Sequence, residues 1–159
     1  MYDKRDEGDL FDNITGNCVV PHVTNDCSAW GSGFVLAINK NLGDWARDSF
    51  VDASQNSLYG LGNVDYCRVG KGDNHITVAN MCAQHGVQGN STGDLRVSKP
   101  IRYAALVACM EDVRDYIESY PQPIMCPRFG SALAGGNWDF IRELIDEIWG
   151  ELDVTIFEY

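Results

Sequence analysis

The 159-residue chain lacks the features that mark membrane-spanning, exported and zinc-binding proteins. No apolar run approaches the ~20 residues of a membrane span, and no signal-peptide pattern opens the chain. Its six cysteines include no C-x-x-C pair, which argues against a zinc site, and disulfides are rare in chains without an export signal. We therefore expect a cytoplasmic protein with buried free thiols, no metal site and no membrane partner.

Basic residues are scarce. Lys and Arg number 12 against 23 Asp and Glu, which gives a formal net charge of −11. A field of that sign repels polyanions, so we expect no nucleic-acid groove. A small phosphorylated ligand remains compatible with the acidity, because backbone N–H groups and helix ends hold phosphate at short range.

The two common nucleotide fingerprints, G-x-x-x-x-G-K-[ST] and G-x-G-x-x-G, are also missing. In their place, residues 123–126 predict a short buried strand and residues 138–149 an amphipathic helix with apolar residues three and four apart. The turn between them consists of small residues: Gly130, Ser131, Ala132, Ala134, Gly135 and Gly136. A strand, such a loop and a helix N-terminus together form a phosphate cradle, although an ordinary β–α turn fits the turn equally well.

The rest of the chain alternates between strand and helix patterns. Strands are predicted at residues 1–7, 18–24, 64–69, 75–82 and 153–159, the first as an edge strand and the third and fourth as a hairpin. Pro21 suggests that the second strand lies at an edge or is irregular. Helices are predicted at 101–118 and along an apolar stripe from Phe34 to Ala46 that includes Trp45, with a break at Gly43. Residues 84–97 form a long polar loop.

This alternation predicts an α/β fold with helices on both sides of a mixed sheet. Ligands of such sheets bind at the carboxyl ends of the strands, and the small-residue loops 25–33 and 127–136 both follow predicted strands. Each loop also leads into a helix. Two phosphate-sized cradles meeting in one cleft indicate a ligand that has a diphosphate and a further group at each end.

Three motifs resemble those of the macrodomains, a family that binds ADP-ribose. Gly8-Asp9-Leu10-Phe11 resembles the motif that ends the family's first strand near the adenine. Residues 22–34, with Asn25, Trp30, Gly31 and Gly33, resemble the loop around the distal ribose, and residues 127–138 resemble the diphosphate loop. The resemblance implies a three-layer α/β/α macrodomain with a mixed central sheet, formed as a single domain by residues 1–159.

Within the family, the most similar branch holds the yeast-type ADP-ribose 1″-phosphate phosphatase and the terminal ADP-ribose protein glycohydrolase. The resemblance implies hydrolysis of ADP-ribose 1″-phosphate to ADP-ribose and phosphate, with no metal and no cofactor. The alternatives are removal of ADP-ribose from an ADP-ribosylated protein and non-catalytic ADP-ribose binding. The glycohydrolase uses a Lys and an Asp, but here the strand ends at Gln84 and Ala134 stands about where the Asp would be. A covalent Lys mechanism is therefore not expected.

Four residues are candidates for catalysis: His22, Asn25, His85 and Asp94. His22 ends a predicted strand beside the distal-ribose loop and can donate or accept a proton near pH 7, although a hydrogen-bonded core histidine is the equal alternative. Asn25 would bond the distal ribose hydroxyls, or else simply form a turn. His85 and Asp94 lie in the polar loop, where a solvated residue is the alternative.

The ligand-binding candidates follow from the same resemblance. Asp9 would accept from the adenine amino group, and Phe157 or Tyr159 would stack on the ring. Arg128 would meet a phosphate, or form a salt bridge, and Trp30 would line the distal ribose or pack in the core. The complete set is Asp9, Leu10, Trp30, Gly31, Ser32, Gly33, Phe34, Arg128, Gly130, Ser131, Ala132, Leu133, Ala134, Gly135, Phe157 and Tyr159.

Overall fold

A computed structural model describes residues 9–87, 99–132 and 134–157, and the backbone alone of residues 3–6. Three of the candidates named above fall outside the described residues: Asp94, Leu133 and Tyr159. The remaining candidates can be located in the fold.

Within the described residues, six strands form one sheet. In chain order they are β1 (Asp3–Asp6), β2 (Cys18–Asn25), β3 (Val64–Lys71), β4 (Asn74–Gln84), β5 (Ile124–Pro127) and β6 (Val154–Phe157). Their spatial order is β1-β6-β5-β2-β4-β3, and only β3 runs antiparallel to its neighbour, β4. The predicted mixed sheet is confirmed, with the first strand at its edge and the predicted hairpin at the other.

Helices cover both faces of this sheet: α1 (Phe34–Leu42), α2 (Trp45–Ser54), α3 (Tyr103–Ser119) and α4 (Trp138–Ile148). Successive side chains of a strand point to opposite faces. On β2, Val19 accordingly packs in the core cluster under α3 and α4, whereas Cys18 and Val20 pack in the cluster under α1 and α2. Two apolar cores separated by one sheet confirm the three-layer α/β/α arrangement.

Pro21 does not place its strand at an edge, but the alternative of an irregular strand is confirmed, because the pairing with β4 shifts register between Thr24 and Asn25. β2 lies between β4 and β5, and it pairs with β4 along its whole length. Toward β5 it pairs only at Val19, whose N–H donates to the Pro123 carbonyl at 2.9 Å. Backbone groups alternate sides along a strand, so the nitrogen of Pro21 faces β5 without a hydrogen to donate. The proline is therefore accommodated where β2 and β5 diverge.

Trp45 was predicted wrongly. Gly43 has φ 72° and ends α1, as the sequence suggested, but the new helix starts in a different direction. Trp45 opens α2 with 68 % of its surface exposed, and Ala46 and Phe50 form the buried face instead. The apolar spacing across the break therefore did not describe one continuous stripe.

All six cysteines are free thiols. Cys18, Cys82, Cys109 and Cys126 are buried as expected, whereas Cys27 and Cys67 are only half-buried, because they lie on a loop and on the edge strand β3. Among the described residues, none of the helices has the length and apolar character needed to cross a bilayer.

Candidate functional site

A cleft opens at the carboxyl ends of β2 and β5, which are neighbours in the sheet. Its inner lobe, about 200 Å³, lies between loop 25–33 and loop 127–134. Its outer lobe, about 620 Å³, lies between the start of α1, the second loop and Phe157 at the end of β6. Five residues line both lobes: Gly33, Phe34, Pro127, Arg128 and Ala132. The two small-residue loops thus meet in one continuous cleft.

The N-terminus of α1 faces this cleft. Gly33 precedes the helix with φ 78°, a conformation that favours glycine, and no side chain caps the helix start. The first N–H groups of a helix have no partner within the helix, and the helix dipole makes this end positive. Since Gly33, Phe34 and Val35 line the inner lobe, this end of α1 presents donors to an anion there.

The second loop is folded by its own backbone. The N–H of Gly136 donates to the Gly130 carbonyl at 2.8 Å, and that of Gly135 donates to Ala132 at 3.1 Å. Within the described residues, the N–H groups of Ser131 and Ala132 have no backbone acceptor, and both residues line the outer lobe. These groups are suitable donors to a phosphate.

The helix that follows this loop, α4, contributes less than the sequence suggested. Asn137 caps it by accepting the N–H of Phe140 at 3.1 Å, and the N–H of Asn137 itself donates to the Tyr103 hydroxyl at 2.8 Å. The donors on this side of the cleft therefore belong to the loop, and the exposed helix start in the cleft is that of α1.

Arg128 lies where the two lobes join. Its guanidinium carbon sits 5.0 Å from the centre of the Trp138 ring, a cation–π contact. No carboxylate among the described residues pairs with it, so the alternative of a salt bridge is not what the structure contains. An exposed cation held by an aromatic ring can meet a phosphate in the cleft.

His22 is buried, with 2 % of its surface exposed, although it lines the inner lobe. Its Nε2 lies 2.5 Å from Oδ1 of Asn80, and the amide nitrogen of Asn80 donates to the Ala46 carbonyl and to Asp65. Since Oδ1 of Asn80 must then accept, Nε2 of His22 carries the hydrogen. Burial lowers the pKa of His22 to about 4, against the opposing effect of the Asn80 bond. The ring is therefore neutral at pH 7.

The neutral His22 ring predicts a pH-dependent stability. Below pH 6.5 the unfolded chain protonates this histidine, whereas the folded protein keeps it neutral down to about pH 4. Stability is thus complete above pH 6.5 and falls as the pH is lowered, by about 2 kcal/mol between pH 6.5 and pH 5 at 1.36 kcal/mol per unit. Urea unfolding should show this loss in the wild type and in His75→Gln, but not in His22→Gln. Equal losses in all three proteins would contradict the burial of a neutral His22.

Asn25 ends β2 and holds the loop that follows it. Its Oδ1 accepts from the N–H groups of Cys27 and Ala29 at 3.1 and 3.0 Å, and its amide nitrogen donates to the Ala29 carbonyl at 2.7 Å. This is the turn-forming role that the sequence left open. Asn25 also lines the inner lobe, so it sets the shape of the wall that a ligand would touch. Direct contact with ribose hydroxyls stays a prediction.

His85 pairs with a residue that the sequence did not single out. It follows β4 directly, and its Nδ1 lies 2.7 Å from Oδ2 of Asp26, which follows β2. The other carboxylate oxygen of Asp26 accepts from the Gly86 N–H at 2.8 Å. Gln84, the last residue of β4, lines the inner lobe. Asp26 and Gln84 both lie at strand ends. The sequence could have indicated them as site residues only if the pairing of β2 with β4 had been known.

Of the adenine candidates that the structure describes, Phe157 lines the outer lobe, whereas Asp9 and Leu10 line neither lobe. Oδ1 of Asp9 accepts the Phe11 N–H at 2.8 Å, so Asp9 forms a turn at the start of the 3₁₀ helix Phe11–Asn13. Leu10 is fully buried in the core, and Phe157, which is also buried, is one of the residues that line the outer lobe. Of the described candidates, four lie outside the lining of both lobes: Asp9, Leu10, His85 and Gly135.

The remaining candidates line the inner lobe. Trp30 does so while its Nε1 donates to Asn39 at 3.1 Å and its ring meets the His22 ring edge-on at 5.3 Å. Trp30 therefore lines the inner lobe and also packs against the core. Gly31, Ser32, Gly130 and Ala134 complete this group, and Ala134 brings no acidic side chain to the cleft.

The described residues place no thiolate nucleophile in or beside the cleft. Burial raises the pKa of Cys27, on the first loop, and the Asp26 carboxylate adds to this shift. Burial likewise raises the pKa of Cys82, near the end of β4, to about 12. Both groups stay protonated near neutral pH, and the thiol is a weak nucleophile.

Comparisons with known proteins bear on this cleft. No protein-family model matches the chain, and no curated protein sequence matches it. Among solved structures, a protein of unknown function from Bacteroides thetaiotaomicron is 32% identical with a TM-score of 0.83, over 100% of this chain and 99% of that one. A macrodomain protein from Streptomyces coelicolor is 26% identical with a TM-score of 0.78, over 99% of both chains.

A more distant likeness supports the fold alone. The DarTG protein of Thermosipho africanus, solved in complex with ADP-ribose, is 15% identical with a TM-score of 0.76. That match covers 99% of this chain and 42% of the other. The similarity in fold therefore extends over almost all residues of this chain.

Proposed function

The chain belongs to the macrodomain family, and from this premise we propose that it forms a single domain whose cleft binds ADP-ribose. The observation that carries the proposal is the junction of the two lobes. There Gly33 and Phe34 at the start of α1 line both lobes together with Arg128 and Ala132 of the second loop. A diphosphate at that point has donors on both sides and a cation beside it.

The two lobes suit the two ends of such a ligand. The outer lobe has aromatic walls from Phe34, Trp138 and Phe157, against which a planar base can pack. The inner lobe has the indole of Trp30 and the amide of Gln84, which suit a sugar with one apolar face and several hydroxyls. The DarTG protein that shares this fold was solved in complex with ADP-ribose, which supports the choice of ligand.

Calorimetric titration tests this proposal. ADP-ribose should bind at least about 10-fold more tightly than either AMP or ribose 5-phosphate, because one linked ligand fills both lobes at the entropic cost of a single association. AMP reports on the outer lobe and the junction, and ribose 5-phosphate on the inner lobe. Absence of heat with ADP-ribose at millimolar concentration would rule the proposal out.

The proposal extends to a reaction, hydrolysis of ADP-ribose 1″-phosphate to ADP-ribose and phosphate. The pattern of His22 in β2 with Asn25 and Trp30 in the first loop supports it, because this pattern resembles that of the phosphatase branch. The Lys–Asp mechanism of the glycohydrolase is not expected, because Gln84 and Ala134 stand where that enzyme has its Lys and Asp. The lowered pKa of His22 makes its ring a weak base and a poor proton donor at pH 7, and its edge-on packing against Trp30 supports a role in shaping the cleft wall.

Product analysis separates this reaction from its alternatives. The phosphatase releases inorganic phosphate from ADP-ribose 1″-phosphate. If the protein releases labelled ADP-ribose from an ADP-ribosylated protein and has no phosphatase activity, the reaction is protein de-ADP-ribosylation instead. Binding of ADP-ribose with neither activity would leave a binding module.

A further inference from the structure

Asp26 and His85 stand side by side at the carboxyl ends of neighbouring strands, at the edge of the inner lobe. We infer that they form a proton-transfer pair, in which His85 moves the proton of the attacking water and Asp26 positions the His85 ring. The inference rests on the proposed hydrolysis at the distal ribose. It adds Asp26 to the chemistry and assigns the acid–base role to His85 in place of His22.

The pair is held by the backbone of both strand ends. The N–H of Asp26 donates to the Gln84 carbonyl at 3.0 Å, and the N–H of Gly86 donates to Oδ1 of Asp26 at 2.8 Å. The N–H of His85 donates to the Pro100 carbonyl at 2.8 Å. With Oδ2 of Asp26 at 2.7 Å from Nδ1 of His85, both oxygens of the carboxylate are engaged and its orientation is fixed.

This arrangement decides which ring nitrogen of His85 can act. A carboxylate only accepts hydrogen bonds, so Nδ1 of the neutral ring carries the hydrogen that it donates to Asp26. The basic lone pair is then on Nε2. The same logic orients the histidine of hydrolytic triads, in which a carboxylate fixes the tautomer that can take a proton.

Asp26 and His85 line neither lobe themselves, but each directly follows a residue of the inner-lobe wall. Asn25 and Gln84, the residues directly before Asp26 and His85, both line the inner lobe, and so does Val87 beyond them. The His85 side chain is 39 % exposed, so water reaches it, in contrast to the buried ring of His22. A general base acts directly or through one water, and this position allows either.

The step balances with water as the only co-reactant. The water oxygen forms a bond to the 1″-phosphorus while Nε2 of His85 takes one of the water protons. The bond between that phosphorus and O1″ breaks, and O1″ leaves with the electron pair. O1″ takes a proton from solvent water and Nε2 releases its proton to solvent, which restores neutral His85 and yields ADP-ribose and inorganic phosphate.

The test compares His85→Asn and Asp26→Asn with His75→Asn and Asp73→Asn. The control residues lie at the opposite end of β4, roughly 30 Å away at the rise of a strand. We expect His85→Asn to lower the rate of phosphate release by about 10²-fold or more, the usual worth of general acid–base catalysis. Asp26→Asn should lower it by at least about 10-fold, since an amide can donate to Nδ1 and move the hydrogen to Nε2. The two controls should keep the wild-type rate.

Two further measurements distinguish this role from a structural one. The affinity for ADP-ribose, measured by calorimetry, should change less than about 3-fold in both variants, because the pair acts on the reaction and not on binding. Nitrogen-15 NMR of the His85 ring should show the hydrogen on Nδ1 in the wild type and on Nε2 in Asp26→Asn.

Each outcome decides between the two proposals. Wild-type rates in folded His85→Asn and Asp26→Asn would overturn the pair and leave ADP-ribose binding intact. Binding of ADP-ribose without phosphate release by the wild type would also overturn it, since no step would remain for it to catalyse. Absence of ADP-ribose binding would reject the proposed function itself.

Discussion

Gly31→Leu is expected to weaken ADP-ribose binding by at least about 100-fold, or about 2.7 kcal/mol. Gly31 is exposed and lines the inner lobe, so a leucine side chain there occupies space that the distal ribose needs. A Cβ added at this position meets no atom within 4 Å, so the fold accommodates the substitution. Calorimetry with ADP-ribose measures the effect.

The matched control is Gly16→Leu. A Cβ at Gly16 likewise meets nothing within 4 Å, and this residue lies outside both lobes. We expect wild-type affinity there and similar melting temperatures for both variants. A substitution at Gly135 would be harder to interpret, since its φ of 75° strains any larger residue. Unchanged affinity in a folded Gly31→Leu protein would place the ligand elsewhere.

The elements that the sequence predicted well are those with a local signal. The apolar spacing from Trp138 onward marked α4, and Ile141, Leu144 and Ile145 are its buried face. The small residues after β2 and β5 marked both loops of the cleft. Such patterns depend on neighbours within a few positions, so one sequence suffices to detect them.

Pairings between distant segments could not be predicted in this way. His22 meets Asn80, 58 positions away, and Asp26 meets His85, 59 positions away. Both contacts follow from β2 lying beside β4, an order that depends on long-range strand pairing. Without it, the sequence could not decide between an acid or base beside the loop and a hydrogen-bonded core histidine, and the fold buries His22 as a neutral ring bonded to Asn80. The same order placed Pro21 in the middle of the sheet.

Gly136→Ala is expected to lower the free energy of unfolding by about 3 kcal/mol. The N–H of Gly136 donates to the Gly130 carbonyl at 2.8 Å, which brings the two backbones into contact. A Cβ at Gly136 would stand 2.3 Å from that carbonyl oxygen and 3.0 Å from Cδ1 of Ile141. The backbone oxygen cannot move away by rotation of a side chain, so the loop must open.

Opening this loop should also weaken ADP-ribose binding, because it displaces the N–H groups of Ser131 and Ala132 that face the outer lobe. Gly60→Ala is the control, since a Cβ at Gly60 meets nothing within 4 Å and the residue lies outside both lobes. Urea unfolding without ligand gives the stability, and calorimetry below the melting temperature gives the affinity. If the Gly136→Ala and Gly60→Ala proteins have equal stability and equal affinity, the Gly130 carbonyl does not approach Gly136 this closely. The diphosphate loop would then owe its shape to other contacts.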